Sequence, residues 1–235
     1  MQTETLFHPS YTLAQVTLAQ GESINVEGGA MVSMDPTISI ETKAKGGILK
    51  ALKRSFLGGE SFFMNTFTAT RGPGTIALAP ALPGDMKIEK MNGETLLIQS
   101  GSYVASGNGI EIDTKWTGAK TFFASEGLFM LKASGTGTLI LSSYGAIHEV
   151  ELKAGQIWTV DTGHLVAFTD KIGFNVRKVG GLKSTFFSGE GLVVDLQGPG
   201  KVMIQTRSED SFLAWLLPKI PRDRTTHSSG GLRFN

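Results

Sequence analysis

Apolar and polar residues alternate along most of this chain in short runs of four to six, a period of two rather than 3.6. Ile38-Ser39-Ile40-Glu41, Ile110-Glu111-Ile112-Asp113 and Phe174-Asn175-Val176-Arg177 are typical of these runs. Strict alternation predicts half-buried β-strands, whose successive side chains point to opposite faces. Glycine pairs or Gly-Pro-Gly stand between the runs, so the predicted strands are short, about five residues each, and joined by tight turns. Two segments depart from this period. Lys45–Leu57 places Ile48, Leu49, Leu52, Phe56 and Leu57 at helical spacing between two glycine pairs. Ser208–Leu217 opens on Ser-Glu-Asp-Ser, an N-terminal turn, and is followed by Pro218 and Pro221. The prediction is an all-β fold with one or two short helices.

The runs repeat. Gly21-Glu22-Ser23-Ile24-Asn25-Val26 leads to Gly29, Gly93-Glu94-Thr95-Leu96-Leu97-Ile98 to Gly101, and Gly155-Gln156-Ile157-Trp158-Thr159-Val160 to Gly163. Each stretch then reaches one of the alternating runs above. Next comes a phenylalanine–glutamate element: Phe56-Leu57-Gly58-Gly59-Glu60, Phe122-Phe123-Ala124-Ser125-Glu126 and Phe186-Phe187-Ser188-Gly189-Glu190. A glycine pair closes each copy, at Gly72/Gly74, Gly135/Gly137 and Gly198/Gly200, with 63 residues between successive copies. Four landmarks in the same order three times predict three diverged units, about 65 residues long, near 11–80, 81–145 and 146–206. One such unit cannot bury its apolar faces alone, whereas three side by side share a core with pseudo-threefold symmetry. No linker separates the copies, so residues 1–235 are expected to form one all-β body, with 207–235 as a C-terminal helix and polar tail.

Composition narrows the function. The 30 glycines against 8 prolines fit many turns, and a net charge of +1 supplies no global field for nucleic acid. The absence of cysteine removes disulfides, thiolate nucleophiles and cysteine-ligated metals. With no basic, apolar leader and no apolar run near the ~20 residues a span requires, the expectation is a cytoplasmic protein.

The search for chemistry returns little. No serine sits in a Gly-x-Ser-x-Gly elbow, and no phosphate-binding glycine motif is present. The four histidines include no His-x-His pair, and Glu149 and Glu151 lie at odd spacings from His148, on the opposite strand face. No catalytic, cofactor or metal residue is assigned, and the protein is read as a non-enzyme. Two polar sets remain. Glu60, Glu126 and Glu190 are the repeated carboxylates. They are read first as acceptors for backbone N–H groups in glycine-rich turns, and second as a shared cation or partner site. Lys43, Lys45, Lys50, Lys53 and Arg54, with Phe56 at the edge, occur once. They form a solvated helix face or a contact for an anionic membrane or protein partner. Nucleic acid is disfavoured there, because the stretch lacks aromatics for base stacking.

The run from Leu52 to Asn65 with Gly72-Pro73-Gly74, together with Gly28-Gly29-Ala30-Met31 and Gln99-Ser100-Gly101-Ser102-Tyr103, resembles the altered-inheritance-of-mitochondria protein family. Ser61 stands where that pattern more often has glycine. The resemblance covers most of residues 10–206. It implies a fold like the tryptophan RNA-binding attenuation protein, with three short double-stranded β-helix units per chain. It also implies a ring-forming homo-oligomer, a trimer being favoured, and it brings no catalytic residues. The resulting expectation is a self-assembling scaffold or interaction protein; the alternative is a ring that binds a small ligand or RNA.

Overall fold

The computed structural model describes residues 1–42, 63–114, 129–179 and 192–221. Strands dominate it, in several antiparallel sheets with one short C-terminal helix. The strands are β1 (Gln2–Leu6), β2 (Leu13–Leu18), β3 (Ser23–Glu27), β4 (Met31–Met34), β5 (Ile38–Thr42), β6 (Met64–Ala69) and β7 (Gly74–Leu78). They continue with β8 (Met86–Gln99), β9 (Tyr103–Gly107), β10 (Ile110–Asp113) and β11 (Met130–Ser142). Last come β12 (Ile147–Leu152), β13 (Ile157–Asp161), β14 (Leu165–Thr169), β15 (Gly173–Lys178), β16 (Leu192–Gln197) and β17 (Gly200–Gln205). The helix α1 spans Glu209–Leu216.

One pattern of antiparallel pairing recurs along the chain. In the first stretch β7 lies between β2 and β4, and β6 lies between β3 and β5. In the last, β17 lies between β12 and β14, and β16 between β13 and β15. The middle stretch has the same pairings in fewer, longer strands. The second half of β11 pairs with the first half of β8 and with β9, and its first half pairs with the second half of β8 and with β10. Two further pairings join neighbouring stretches: β3 with β9, and the second half of β8 with β14.

The long strands differ from the uniform five-residue strands that the glycines predict, and the cause is local. Gly21, Gly93 and Gly155 all hold positive φ (+85°, +99° and +78°), a conformation that a side chain strains. Two residues separate Leu18 from Gly21 and Leu152 from Gly155, enough for a turn that ends the strand. Only Asn92 separates Met91 from Gly93. There the ladder shifts register opposite Ser134/Thr136, so a bulge replaces the turn and β8 runs through.

Alternation within the strands buries one face. Ala14, Val16 and Leu18 of β2 are fully buried, as are Ile76 and Leu78 of β7 opposite them. Three apolar clusters result, one centred on each stretch. The clusters cross the joints between stretches: Val26 of β3 and Ala105 of β9 share one, and Ile98 of β8 and Ala167 of β14 share the next. Each fully buried aliphatic side chain contributes about 1.5–3 kcal/mol, so the joints are held by core packing as well as by ladder hydrogen bonds. The alternation of Phe174-Asn175-Val176-Arg177 is borne out in β15: Phe174 and Val176 are partly covered against the third cluster, Phe174 edge-on to Phe168 at 5.6 Å, while Asn175 and Arg177 are exposed.

Ser208 caps α1, its Oγ accepting from the Ser211 N–H at 3.4 Å, while Glu209 and Asp210 stand in the first turn, where the helix dipole favours negative charge. The apolar tail Phe212–Leu217 does not close the core, since α1 contributes no buried residue and Trp215 is 58% exposed.

Candidate functional site

The singled-out residues lie outside the described ones. Lys43, Lys45, Lys50, Lys53, Arg54, Phe56 and Glu60 belong to the connection between β5 and β6. Glu126 lies between β10 and β11, and Glu190 between β15 and β16. The predicted helix at Lys45–Leu57 and the polar tail from Arg222 fall outside as well. What can be placed is the position of these connections: each joins the corresponding two strands of its stretch.

Among the described residues, polar groups are arranged for structure. No group of three His, Asp or Glu side chains is placed to hold a metal ion. His8 Nδ1 meets the buried Asp85 Oδ1 at 2.6 Å, and the same oxygen accepts from Thr12 Oγ1 and from the Met86 N–H. This pins the N-terminal segment to the start of β8, a contact the sequence pattern does not signal. His164 Nδ1 meets the Gln205 carbonyl at 2.7 Å. His148, Glu149 and Glu151 are exposed on β12. Lys87, Glu89, Glu149 and Lys201 close a ring of alternating charge, with Lys87–Glu89 at 3.1 Å, Lys201–Glu89 at 3.2 Å and Lys201–Glu149 at 3.8 Å, and with Lys87 bonded to Glu149. Partial burial opposes the charge on Lys87, but its hydrogen bonds to Glu149 and Glu89 outweigh this and hold it above the ordinary lysine range. Tyr103 is buried, which pushes its phenol well up, and its hydroxyl meets Ser106 Oγ at 2.9 Å.

A cleft of about 380 Å³ lies beside α1, lined by Tyr144, His164, Arg207, Ser208, Phe212 and Trp215. Phe212 meets Tyr144 edge-on at 6.1 Å and stacks on Trp215, and the Lys219 ammonium lies 5.0 Å from the Trp215 ring. The cleft is open to solvent and holds no paired acid and base.

The sheet edges differ from one another. β5, β10 and β15 occupy the same place in each stretch, and all three are edges. β4 and β13 are another matter. The strands equivalent to β4 are β9 and β14, and each is paired on both sides. The strands equivalent to β13 are β3 and the second half of β8, again paired on both sides. Among the described residues β4 pairs only with β7, and β13 only with β16. A bulge falls at the same place in all three: the register shifts across Val32 in β4, at Val104 in β9 and across Val166 in β14. Val104 and Val166 are fully buried, whereas Val32 is 58% exposed. On the other edge Ile157 is 62% exposed. Both edges are largely apolar, and neither strand contains the lysine or proline that ordinarily protects an edge.

Comparison with known proteins places the chain. The profile of the family described as mitochondrial biogenesis AIM24 matches residues 4–207. An uncharacterised protein of Streptococcus pyogenes serotype M6 is 26% identical over 219 residues, covering 90% of this chain and 88% of that protein. A crystal structure of a Streptococcus pyogenes protein superposes with a TM-score of 0.79 at 25% identity, covering 93% of this chain and 99% of the other. The chain belongs to the mitochondrial biogenesis AIM24 family.

Proposed function

We propose that this member of the family is a non-enzymatic scaffold that assembles with further copies of itself. Its building blocks are three double-stranded β-helix-like units joined edge to edge within the chain. The observation that carries the reading is the pair of edges unmatched among the described residues, β4 and β13, whose counterparts inside the chain are paired on both sides. A trimer is the favoured assembly, by analogy with ring-forming relatives of this fold. Sedimentation velocity across a hundredfold concentration range tests it. A discrete species heavier than the 25.1 kDa chain is expected, and a monomer at every concentration overturns the reading.

The scaffold's outward contact is assigned to the basic segment of the longest connection, Lys43, Lys45, Lys50, Lys53 and Arg54 with Phe56, facing an anionic membrane or an acidic protein. No helix among the described residues is long and apolar enough to cross a membrane. Flotation with anionic liposomes tests the lipid arm. Wild type is expected to float and the triple change Lys50→Glu, Lys53→Glu, Arg54→Glu to remain at the bottom. No flotation of the wild type removes the membrane from the proposal.

A ring that binds a small ligand is the second reading, and the aromatic-lined cleft beside α1, with Arg207 and His164 at its wall, is what favours it. A stoichiometric small molecule retained through purification would support that reading.

A further inference from the structure

We infer that β13 of one copy pairs antiparallel with β4 of the next, in a fixed register that sets Val160 opposite Ser33, Thr159 opposite Met34 and Trp158 opposite Asp35. The inference rests on the self-assembly reading and specifies its interface.

The register comes from the two joints inside the chain. At the first, Val26 faces Ala105, Asn25 faces Ser106 and Ile24 faces Gly107. At the second, Ile98 faces Ala167, Leu97 faces Phe168 and Leu96 faces Thr169. The repeat places Val26, Ile98 and Val160 at one position, because each follows its turn glycine by five residues. It places Ser33, Ala105 and Ala167 at another, four residues beyond Gly29, Gly101 and Gly163. The two internal joints therefore share one register residue for residue, and a third joint built on the same strands takes the pairing above.

Side-chain chemistry favours a second copy as the occupant. β4 keeps valine at the bulge where the two internal strands bury valine completely, although the single chain leaves it in water. Met31 and Met34 flank it, so the strand carries no charge. β13 offers Ile157, Trp158 and Val160 with one carboxylate at its far end, Asp161, whose Oδ1 is already engaged by the Gly163 N–H. Two edges that match each other, neither matching itself, define a heterologous contact. Repeated head to tail, such a contact closes into a ring when the rotation per copy permits.

The chain contains no cysteine, so two single variants test the joint against a clean background. Directly opposed residues of an antiparallel pair lie about 4.5–5.5 Å apart at Cα, inside disulfide range. Met34→Cys and Thr159→Cys both alter exposed positions, and the two proteins are given different mass tags and oxidised alone and mixed. The mixture is expected to form a disulfide-linked heterodimer, with neither protein linking to itself. Met31→Cys, about 10 Å further along the strand, is expected to link to Thr159→Cys at least tenfold less. Self-linking of either variant would make the contact isologous and overturn the inference. So would equal linking by Met31→Cys, or an oligomer that persists without any link; in that last case self-assembly stands and only this joint fails. In the double variant Met34→Cys/Thr159→Cys, loss of both thiols in a 25.1 kDa species would mean that the edges close within one chain. That result removes the second copy as partner. A monomeric wild type fails the self-assembly reading itself.

Discussion

Val32 and Val166 sit at the same bulge in the first and third stretches, yet Val166 is fully buried and Val32 is 58% exposed. Strand β14 lies against β8, whereas β4 has no neighbour on that side among the described residues. The difference converts into a paired experiment. Val32→Glu is expected to leave the single chain with a cooperative thermal transition, because the side chain is exposed there, its melting temperature falling from that of wild type only by the stabilisation that assembly supplies. It is expected to abolish the heavier species in sedimentation. Val166→Glu places a carboxylate in the core and is expected to prevent folding, read as loss of the cooperative thermal transition.

Phe168 carries the second internal joint. It is fully buried in the third apolar cluster and faces Leu97 across the strands. Phe168→Ala should cost about 3–5 kcal/mol by lost transfer energy and cavity formation. Urea denaturation measures it, and a cost under 1 kcal/mol would mean that the joint is not a packed core.

Gly84 permits the close approach of the two ends of the second stretch to each other. It bridges to Gly145, and a Cβ added at Gly84 would lie 1.7 Å from the Ser143 carbonyl oxygen. Backbone must move to admit it, so Gly84→Ala is expected to destabilise by roughly 1–3 kcal/mol or more. An unchanged denaturation midpoint would show that the approach is not tight.

Asp195 accepts two hydrogen bonds from Arg177 and one from Thr159, and these hold its carboxyl below the usual aspartate range. A depressed folded value means that its stabilisation is complete above the unfolded value of about 3.9 and is lost as pH falls through the folded value. The pair is solvent-exposed, so the effect is small. Removing Arg177 (Arg177→Gln) is expected to lessen the acid-side fall in melting temperature below pH 4, with no change near pH 7 beyond the loss of one surface pair. An unaltered acid limb would contradict the assignment.

Much of the architecture can be read from local chemistry. Alternation at Ile38-Ser39-Ile40 and Ile110-Glu111-Ile112 marks β5 and β10, and the Ser208 cap with Glu209 and Asp210 marks the start of α1. Gly21 and Gly155 mark positive-φ turns, and Gly93 a positive-φ bulge within β8. What local chemistry cannot report is which edge meets which. Met31-Val32-Ser33-Met34 and Tyr103-Val104-Ala105-Ser106 read alike as strands, and only the tertiary pairing makes one exposed and the other core. The fate of the apolar tail is hidden for the same reason, since Phe212 and Trp215 fit a core or an open surface equally. The His8–Asp85 contact spans 77 residues and leaves no periodic trace. The functional residues that the sequence does single out, the basic segment and the triplicated glutamates, belong to the connections outside the described residues.

Native mass spectrometry of the purified full chain tests the central claim most directly, because it reads stoichiometry and retained ligand in one spectrum. The account predicts a single homo-oligomer, three copies of the 25.1 kDa chain being the favoured mass, with no bound small molecule or nucleic acid. A spectrum holding only the 25.1 kDa monomer, at concentrations where sedimentation is also monomeric, would contradict it.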